Sequence, residues 1–133
     1  MPGRARVDRR PAGGRSSSAV KHVERIEQTK LAALVRQLRP HLKFTAIPLG
    51  EHRDKRTAAI LFNMGVSKGW PDLFFPQLRL WIEMKKEGEK PDKHQREIIS
   101  MLESCGYSVA VVFSALEGYE LLRTWPTPKS LTP

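Results

Sequence analysis

The strongest constraint on the fold is a pair of apolar segments, residues 72–75 and 79–86, that are joined by only three residues. Two extended segments with so short a connection pair as an antiparallel hairpin. The centre of the turn is predicted between Gln77 and Leu78, and this position fixes which residues of the two strands lie opposite each other.

Three charged groups are predicted to share one face of this hairpin. Asp72 and Glu83 are equally far from the turn, so they should lie opposite each other. Side chains alternate between faces along a strand, so Lys85 shares the face of Glu83 and Lys86 points away. Charged groups in an apolar strand are costly unless they are paired or functional. The simpler interpretation is an ordinary ion pair between Glu83 and Lys85 on an exposed edge strand.

The rest of the chain alternates helical and strand patterns. Apolar residues at helical spacing predict helices over about 21–39, 54–63, 93–104 and 115–123, with Pro40 ending the first and Gly106 closing the third in a left-handed conformation. Strands are predicted over 43–49 and 107–113, besides the hairpin. A strand, helix and strand in succession imply a right-handed parallel crossover. The predicted fold class is therefore α/β, with a mixed sheet of about four strands flanked by helices.

Charge and composition divide the chain into three regions. Residues 1–20 are rich in Pro, Gly, Ser and Arg and predict a flexible basic arm, residues 21–124 one folded domain, and residues 125–133 a loose tail. Lys and Arg number 23 against 14 acidic residues, and the pI is about 10.1. This excess favours a polyanionic partner or an anionic membrane surface, and nucleic acid is the commoner partner.

The chain shows no sign of secretion or of membrane insertion. Its one cysteine, Cys105, cannot form an intramolecular disulfide or a thiolate zinc site. No apolar run approaches the roughly 18 residues of a membrane span, and the arginine-rich start lacks the apolar segment of a signal peptide. We therefore expect a cytoplasmic protein with no membrane partner.

The charged face of the hairpin has the donors of a divalent-metal site. Mg²⁺ prefers carboxylate and carbonyl oxygens and keeps several waters, so Asp72, Glu83 and the backbone carbonyl of Met84 form a plausible partial shell. Mn²⁺ can substitute for it. Lys85 could orient an attacking water or balance the charge on a phosphorane.

Two further positions are candidates for the same site. At 100° per residue, Glu27 falls near the middle of the apolar stripe of the first helix, and Glu24 falls at its edge. A surface glutamate near the helix start is the alternative for Glu27. Gln95 lies one turn before Ile99 and faces the sheet near the strand that bears Lys85, where it could hold water or phosphate or cap its helix.

An ordered set of motifs resembles the VRR-NUC (virus-type replication-repair nuclease) branch of the PD-(D/E)XK superfamily. The motifs are Gly65 to Leu73 (GVSKGWPDL), Ile82 to Lys85 (IEMK), His94-Gln95 and Gly106-Tyr107. They span roughly residues 22–122, and their order is more specific than any one of them. The resemblance implies a restriction-endonuclease-like core and Mg²⁺- or Mn²⁺-dependent cleavage of DNA. For small stand-alone members, which are frequent in phages, it implies homodimers that act on branched DNA in a bacterial or phage-infected cell.

The resemblance also implies roles for individual residues. Asp72 and Glu83 match the metal-binding acids, Lys85 the catalytic lysine and Gln95 the glutamine of the following helix. The glutamate of the first helix matches Glu24 best, with Glu27 as the alternate. Trp70 departs from the pattern, which usually has a small or β-branched residue at this position.

The leading hypothesis is a Mg²⁺-dependent deoxyribonuclease that cuts branched DNA, such as Holliday junctions or flaps, in phage or prophage replication, recombination or repair. We expect basic residues to contact the DNA: Arg4, Arg6, Arg9, Arg10, Arg15, Lys68 and Lys86. One alternative is a non-catalytic nucleic-acid-binding module with a degenerate nuclease fold. Another is a structural α/β protein whose charge only keeps it in solution.

Overall fold

The computed structural model describes residues 17–47 and 54–126 as an α/β fold. Its helices are α1 (Ser17–Leu38), α2 (Lys55–Asn63), α3 (Lys93–Ser104) and α4 (Ala115–Thr124), and its strands are β1 (Thr45–Ala46), β2 (Leu73–Phe75), β3 (Leu80–Met84) and β4 (Ser108–Val112). A 3₁₀ turn, Pro76–Leu78, joins β2 to β3. The predicted order of helices and strands is therefore confirmed.

The four strands form one mixed sheet in the order β1-β2-β3-β4. β1 and β3 each pair with β2 in the antiparallel sense, and β4 pairs with β3 in the parallel sense. The parallel pair is connected through α3, as expected of a strand-helix-strand crossover. The predicted mixed sheet of four strands is confirmed.

The register of the central hairpin agrees with the predicted turn centre. Leu73 pairs with Ile82 and Phe75 with Leu80, so the next position outward places Asp72 opposite Glu83. Arg79 follows the 3₁₀ turn in a left-handed backbone conformation, with φ 52°. The register follows from the strand alternation, because a slip of one residue would exchange the two faces of the hairpin.

One face of the sheet forms the main hydrophobic core. β2 and β3 contribute Leu73, Phe75, Leu80, Ile82 and Met84, which pack against Leu31 and Val35 of α1 and Leu122 of α4. All five residues of β3 are buried. Asp72 and Glu83 alternate with these core residues and so lie on the opposite face.

Some boundaries differ from the predicted ones. α1 begins at Ser17 instead of about residue 21, because Ala19 favours helix and the half-buried Val20 extends the inward face by one turn. β1 covers Thr45–Ala46 of the strand predicted over 43–49, and residues 48 and 49 lie outside the described residues. The predicted arm before residue 17 and the predicted tail after residue 126 lie outside the described residues. Within the described parts of the chain, no helix is both long enough and apolar enough to cross a membrane.

Gly69 brings the loop before β2 into contact with α3. Its φ is +94°, and a Cβ added there would lie 2.8 Å from the carbonyl oxygen of His94. Gly65, with φ +110°, has nothing within 4 Å of the same added atom. Both positions favour glycine, but only Gly69 also has a steric reason for it.

Gly69→Ala should therefore destabilise the protein more than Gly65→Ala does. Both variants strain the backbone, by about 1 kcal/mol or more, and only the first also forces the loop away from α3. Urea denaturation followed by circular dichroism measures the two losses. Equal losses would show that the loop and α3 are not in close contact.

Candidate active site

A cavity of about 250 Å³ opens on the sheet face opposite the main core. Its walls come from α1, the loop before β2, β3 and the start of α3. The lining residues are Lys21, Glu24, Lys68, Gly69, Trp70, Asp72, Glu83, Asp92, His94 and Gln95. The fold thus brings Asp72, Glu83, Gln95, Glu24 and Lys68 of the predicted site together.

Asp72 and Glu83 are each held by one carboxylate oxygen. Asp72 Oδ2 accepts a hydrogen bond from the Met84 N–H at 2.8 Å. Glu83, 3% exposed, accepts a hydrogen bond at Oε2 from Gln95 Nε2 at 2.8 Å and meets Lys85 Nζ at 3.3 Å on the same oxygen. Among the described residues, no hydrogen bond or ion pair reaches Asp72 Oδ1 or Glu83 Oε1. One oxygen of each acid therefore fixes its orientation, and the other can bind a ligand.

The two adjacent lysines have different environments. The side chain of Lys85 is 11% exposed and pairs with Glu83. Lys86 is exposed and lies beyond the end of β3, where its backbone N–H donates to Glu24 Oε2 at 3.1 Å. The predicted separation of Lys85 from Lys86 is thus observed. The Glu83 and Lys85 pair is not on an exposed edge, because β3 lies between β2 and β4.

Glu24 and Glu27 point to different places. Glu24 lines the cavity, and its bond to the Lys86 N–H ties α1 to the end of β3. Glu27 Oε1 accepts a hydrogen bond from the Ala115 N–H at 2.8 Å, at the first residue of α4, and its Oε2 pairs with Lys30. A carboxylate at a helix N-terminus satisfies a free N–H and is favoured by the helix dipole. Glu27 therefore joins α1 to α4 and does not line the cavity.

Gln95 acts in two ways at once. Its side-chain Oε1 accepts a hydrogen bond from the backbone N–H of Asp92, and its backbone N–H donates one to Asp92 Oδ1, both at 2.9 Å. This reciprocal pair is the capping box of α3. Its Nε2 donates to Glu83. Capping thus orients the amide toward β3, so the two sequence interpretations of Gln95 are compatible.

The buried acids are disfavoured in their charged forms. Burial raises the pKa of Asp72 to about 6, and the nearby Glu24 carboxylate adds to the rise. Burial, followed by the charge of Asp72, raises the pKa of Glu83 to about 8, although Lys85 opposes this. Burial is the first cause in both cases, so the charged forms of Asp72 and Glu83 need a stabilising partner, and a divalent cation bound between the two carboxylates would supply it.

The donors fit a hard, partly hydrated cation. The described residues contain no group of three or more metal-ligating side chains. Asp72 and Glu83 supply two carboxylates. In an extended strand the N–H and the C=O of one residue point to the same side, so the Met84 carbonyl faces the side on which the Met84 N–H binds Asp72. Such a partial shell, completed by water and substrate oxygens, is the kind Mg²⁺ or Mn²⁺ uses.

Five lining residues were not predicted as site residues: Lys21, Gly69, Trp70, Asp92 and His94. Lys21 lies one helical turn before Glu24 and so shares its side of α1, a signal available in the sequence. The others depend on the contact between α3 and the loop before β2, which no local pattern reveals. Arg4, Arg6, Arg9, Arg10 and Arg15 lie outside the described residues.

A solved structure described as a VRR_NUC domain protein resembles this fold. The two chains superpose with a TM-score of 0.55 at 24% sequence identity, over 73% of this chain and 85% of the other. No protein-family model matches the sequence, and no curated protein matches it significantly. The likeness shows that the chain has the restriction-endonuclease-like VRR-NUC fold, as the ordered motifs predict.

The raised pKa of Glu83 predicts a pH-dependent stability difference. Between its ordinary pKa of 4.5 and about 8, the folded state binds more protons than the unfolded state, so the free energy of unfolding falls as pH rises. Glu83→Gln removes this contribution. In EDTA, the melting temperature of Glu83→Gln minus that of the wild type should therefore increase by several degrees from pH 5 to pH 9. Glu97→Gln, at an exposed residue of α3, is the control. A constant difference for Glu83→Gln would contradict the burial of its charge.

Proposed function

We propose that this protein is a metal-dependent deoxyribonuclease that hydrolyses phosphodiester bonds within DNA. The observation that carries the proposal is the pair of opposed acids, the half-buried Asp72 and the buried Glu83, with Lys85 on the same face. The basic lining residues and the VRR-NUC fold support it. The VRR-NUC fold alone is compatible with a non-catalytic module, whereas two opposed acids whose charged forms are disfavoured by burial are costly in a module that only binds DNA.

The proposed metal ligands are Asp72, Glu83 and the Met84 carbonyl. A bound Mg²⁺ or Mn²⁺ would supply Lewis acidity toward a phosphoryl oxygen and a lowered pKa for water. The protein prepares this site by fixing one oxygen of each acid. The Met84 N–H holds Asp72, and Gln95 and Lys85 hold Glu83. The remaining oxygens need no rearrangement, which favours preorganised binding.

Lys85 is the proposed catalytic cation. Its ammonium lies 3.3 Å from Glu83 Oε2 and is largely buried, so it is positioned next to the acids without filling the cavity. From there it can donate a hydrogen bond to the attacking water or to a phosphoryl oxygen that gains negative charge. Glu24 lines the same cavity and is the proposed acceptor for a proton of that water.

Positive side chains around the acids would hold the DNA backbone. Lys21 and Lys68 line the cavity beside Glu24 and Asp72, so phosphates can approach despite the acidic centre. The exposed Lys86 and the five arginines before residue 17 extend this basic surface in the proposal. Branched DNA, such as Holliday junctions or flaps, is the proposed substrate, in phage or prophage replication, recombination or repair. Symmetric cleavage of a junction would need two such sites, as in a homodimer.

Cleavage of labelled DNA is the direct test of the proposed function. The purified protein should cut junction, flap or fork substrates in Mg²⁺ or Mn²⁺ and not in EDTA. Asp72→Asn should lower the rate at least about 100-fold, because it removes a charged ligand. Binding without cleavage in either metal would instead identify a non-catalytic binding module.

Glu24→Gln and Glu27→Gln form a matched pair for this assay. The substitution is identical and the two positions lie on the same helix, but only Glu24 faces the cavity. Glu24→Gln should slow cleavage strongly with little loss of stability. Glu27→Gln should cost about 1 kcal/mol in unfolding free energy and leave the cleavage rate of the folded protein nearly unchanged. The reverse result would assign the first-helix role to Glu27.

A further inference from the structure

Trp70 forms an aromatic wall of the cavity that the proposed hydrolysis does not use. Its half-buried ring lines the same cavity as Asp72 and Glu83. A large aromatic ring next to acids and lysines is not needed to bind a metal or a phosphate. Its flat apolar face is suited to contact with a flat apolar group of a ligand.

The ring of Trp70 is held rigidly from behind and at its polar edge. Its centroid lies 5.6 Å from that of Trp81, whose ring stacks on Phe74 at 4.4 Å, and Phe74 meets Tyr107 edge to face at 5.8 Å. The indole N–H of Trp70 donates to Ser67 Oγ at 3.1 Å. Trp70 is therefore the member of this aromatic cluster that reaches the cavity, and its orientation is set before any ligand arrives.

Cationic side chains border the same wall. Lys68 lies two residues before Trp70, and Lys21 lines the cavity from α1. Lysines that follow a phosphate backbone, combined with an aromatic ring on which a base can stack, are the usual means of holding an unpaired nucleotide. A base inside a duplex already stacks on its neighbours and cannot present its face to Trp70.

We propose that Trp70 stacks on the base of an unpaired nucleotide next to the scissile phosphate. Trp70 is thus a specificity-determining residue, and it directs the site to DNA whose strands are separated at the cut. This inference rests on the proposed nuclease function. It adds that the site selects an unpaired nucleotide and that Trp70 makes this selection.

Binding in Ca²⁺ or EDTA tests this stacking without requiring cleavage. Both probes contain the same 2-aminopurine strand. In the paired duplex the 2-aminopurine lies opposite thymine, and in the unpaired probe the complementary strand lacks that nucleotide, so the 2-aminopurine has no partner. The wild type should quench the 2-aminopurine fluorescence and bind this probe more tightly than the paired duplex. Trp70→Leu keeps an apolar contact with Trp81 but loses the aromatic face, so its Kd for the unpaired probe should rise by about 10-fold.

Two controls separate stacking from a structural role. Trp70→Phe should restore most of the quenching and affinity, and Trp70→Leu should leave the Kd for the paired duplex unchanged. A Trp70→Leu variant that binds both probes as the wild type does, or that loses affinity for both equally, would overturn the proposal. The proposed nuclease function is tested independently of this stacking, and it would be contradicted if the wild type cut no DNA in Mg²⁺ or Mn²⁺.

Discussion

The pairing of β2 with β3 is the constraint on which the rest of this structure depends. Leu73 opposite Ile82 directs one set of side chains into the core and the alternate set, with Asp72 and Glu83, to the other face. A shift of one residue would bury the acids among the core residues and expose the leucines. The apolar core therefore enforces the position of the acids, and the stability of the hairpin and the geometry of the site have the same origin.

Much of this arrangement follows from local sequence rules. Strand alternation and the short turn suffice to predict that Asp72 opposes Glu83 and that Lys85 separates from Lys86. The Asp92 to Gln95 spacing and Gly106, with φ +94°, mark the two ends of α3. These features depend on residues that are close in the chain, where backbone geometry leaves few alternatives.

The choice between Glu24 and Glu27 depends on tertiary structure. The helical wheel correctly places Glu27 in the middle of the inward face, but that part of α1 meets the first residue of α4 and not the cavity. Glu24, at the edge of the face, is the residue that reaches the end of β3. A wheel shows which side of a helix is buried and contains no information on which neighbour covers each part of it. The contribution of Trp70 and His94 to the cavity is equally non-local, since it depends on the approach of Gly69 to α3.

We propose that Asp72, Glu83 and the Met84 carbonyl together bind a divalent cation. Anomalous diffraction from crystals grown with Mn²⁺ would locate the ion without reference to activity. We expect one strong peak in the cavity, about 2.1 Å from an oxygen of each acid and from the Met84 carbonyl oxygen. A well-ordered cavity without a peak at saturating Mn²⁺, or a peak bound only by other residues, would contradict it.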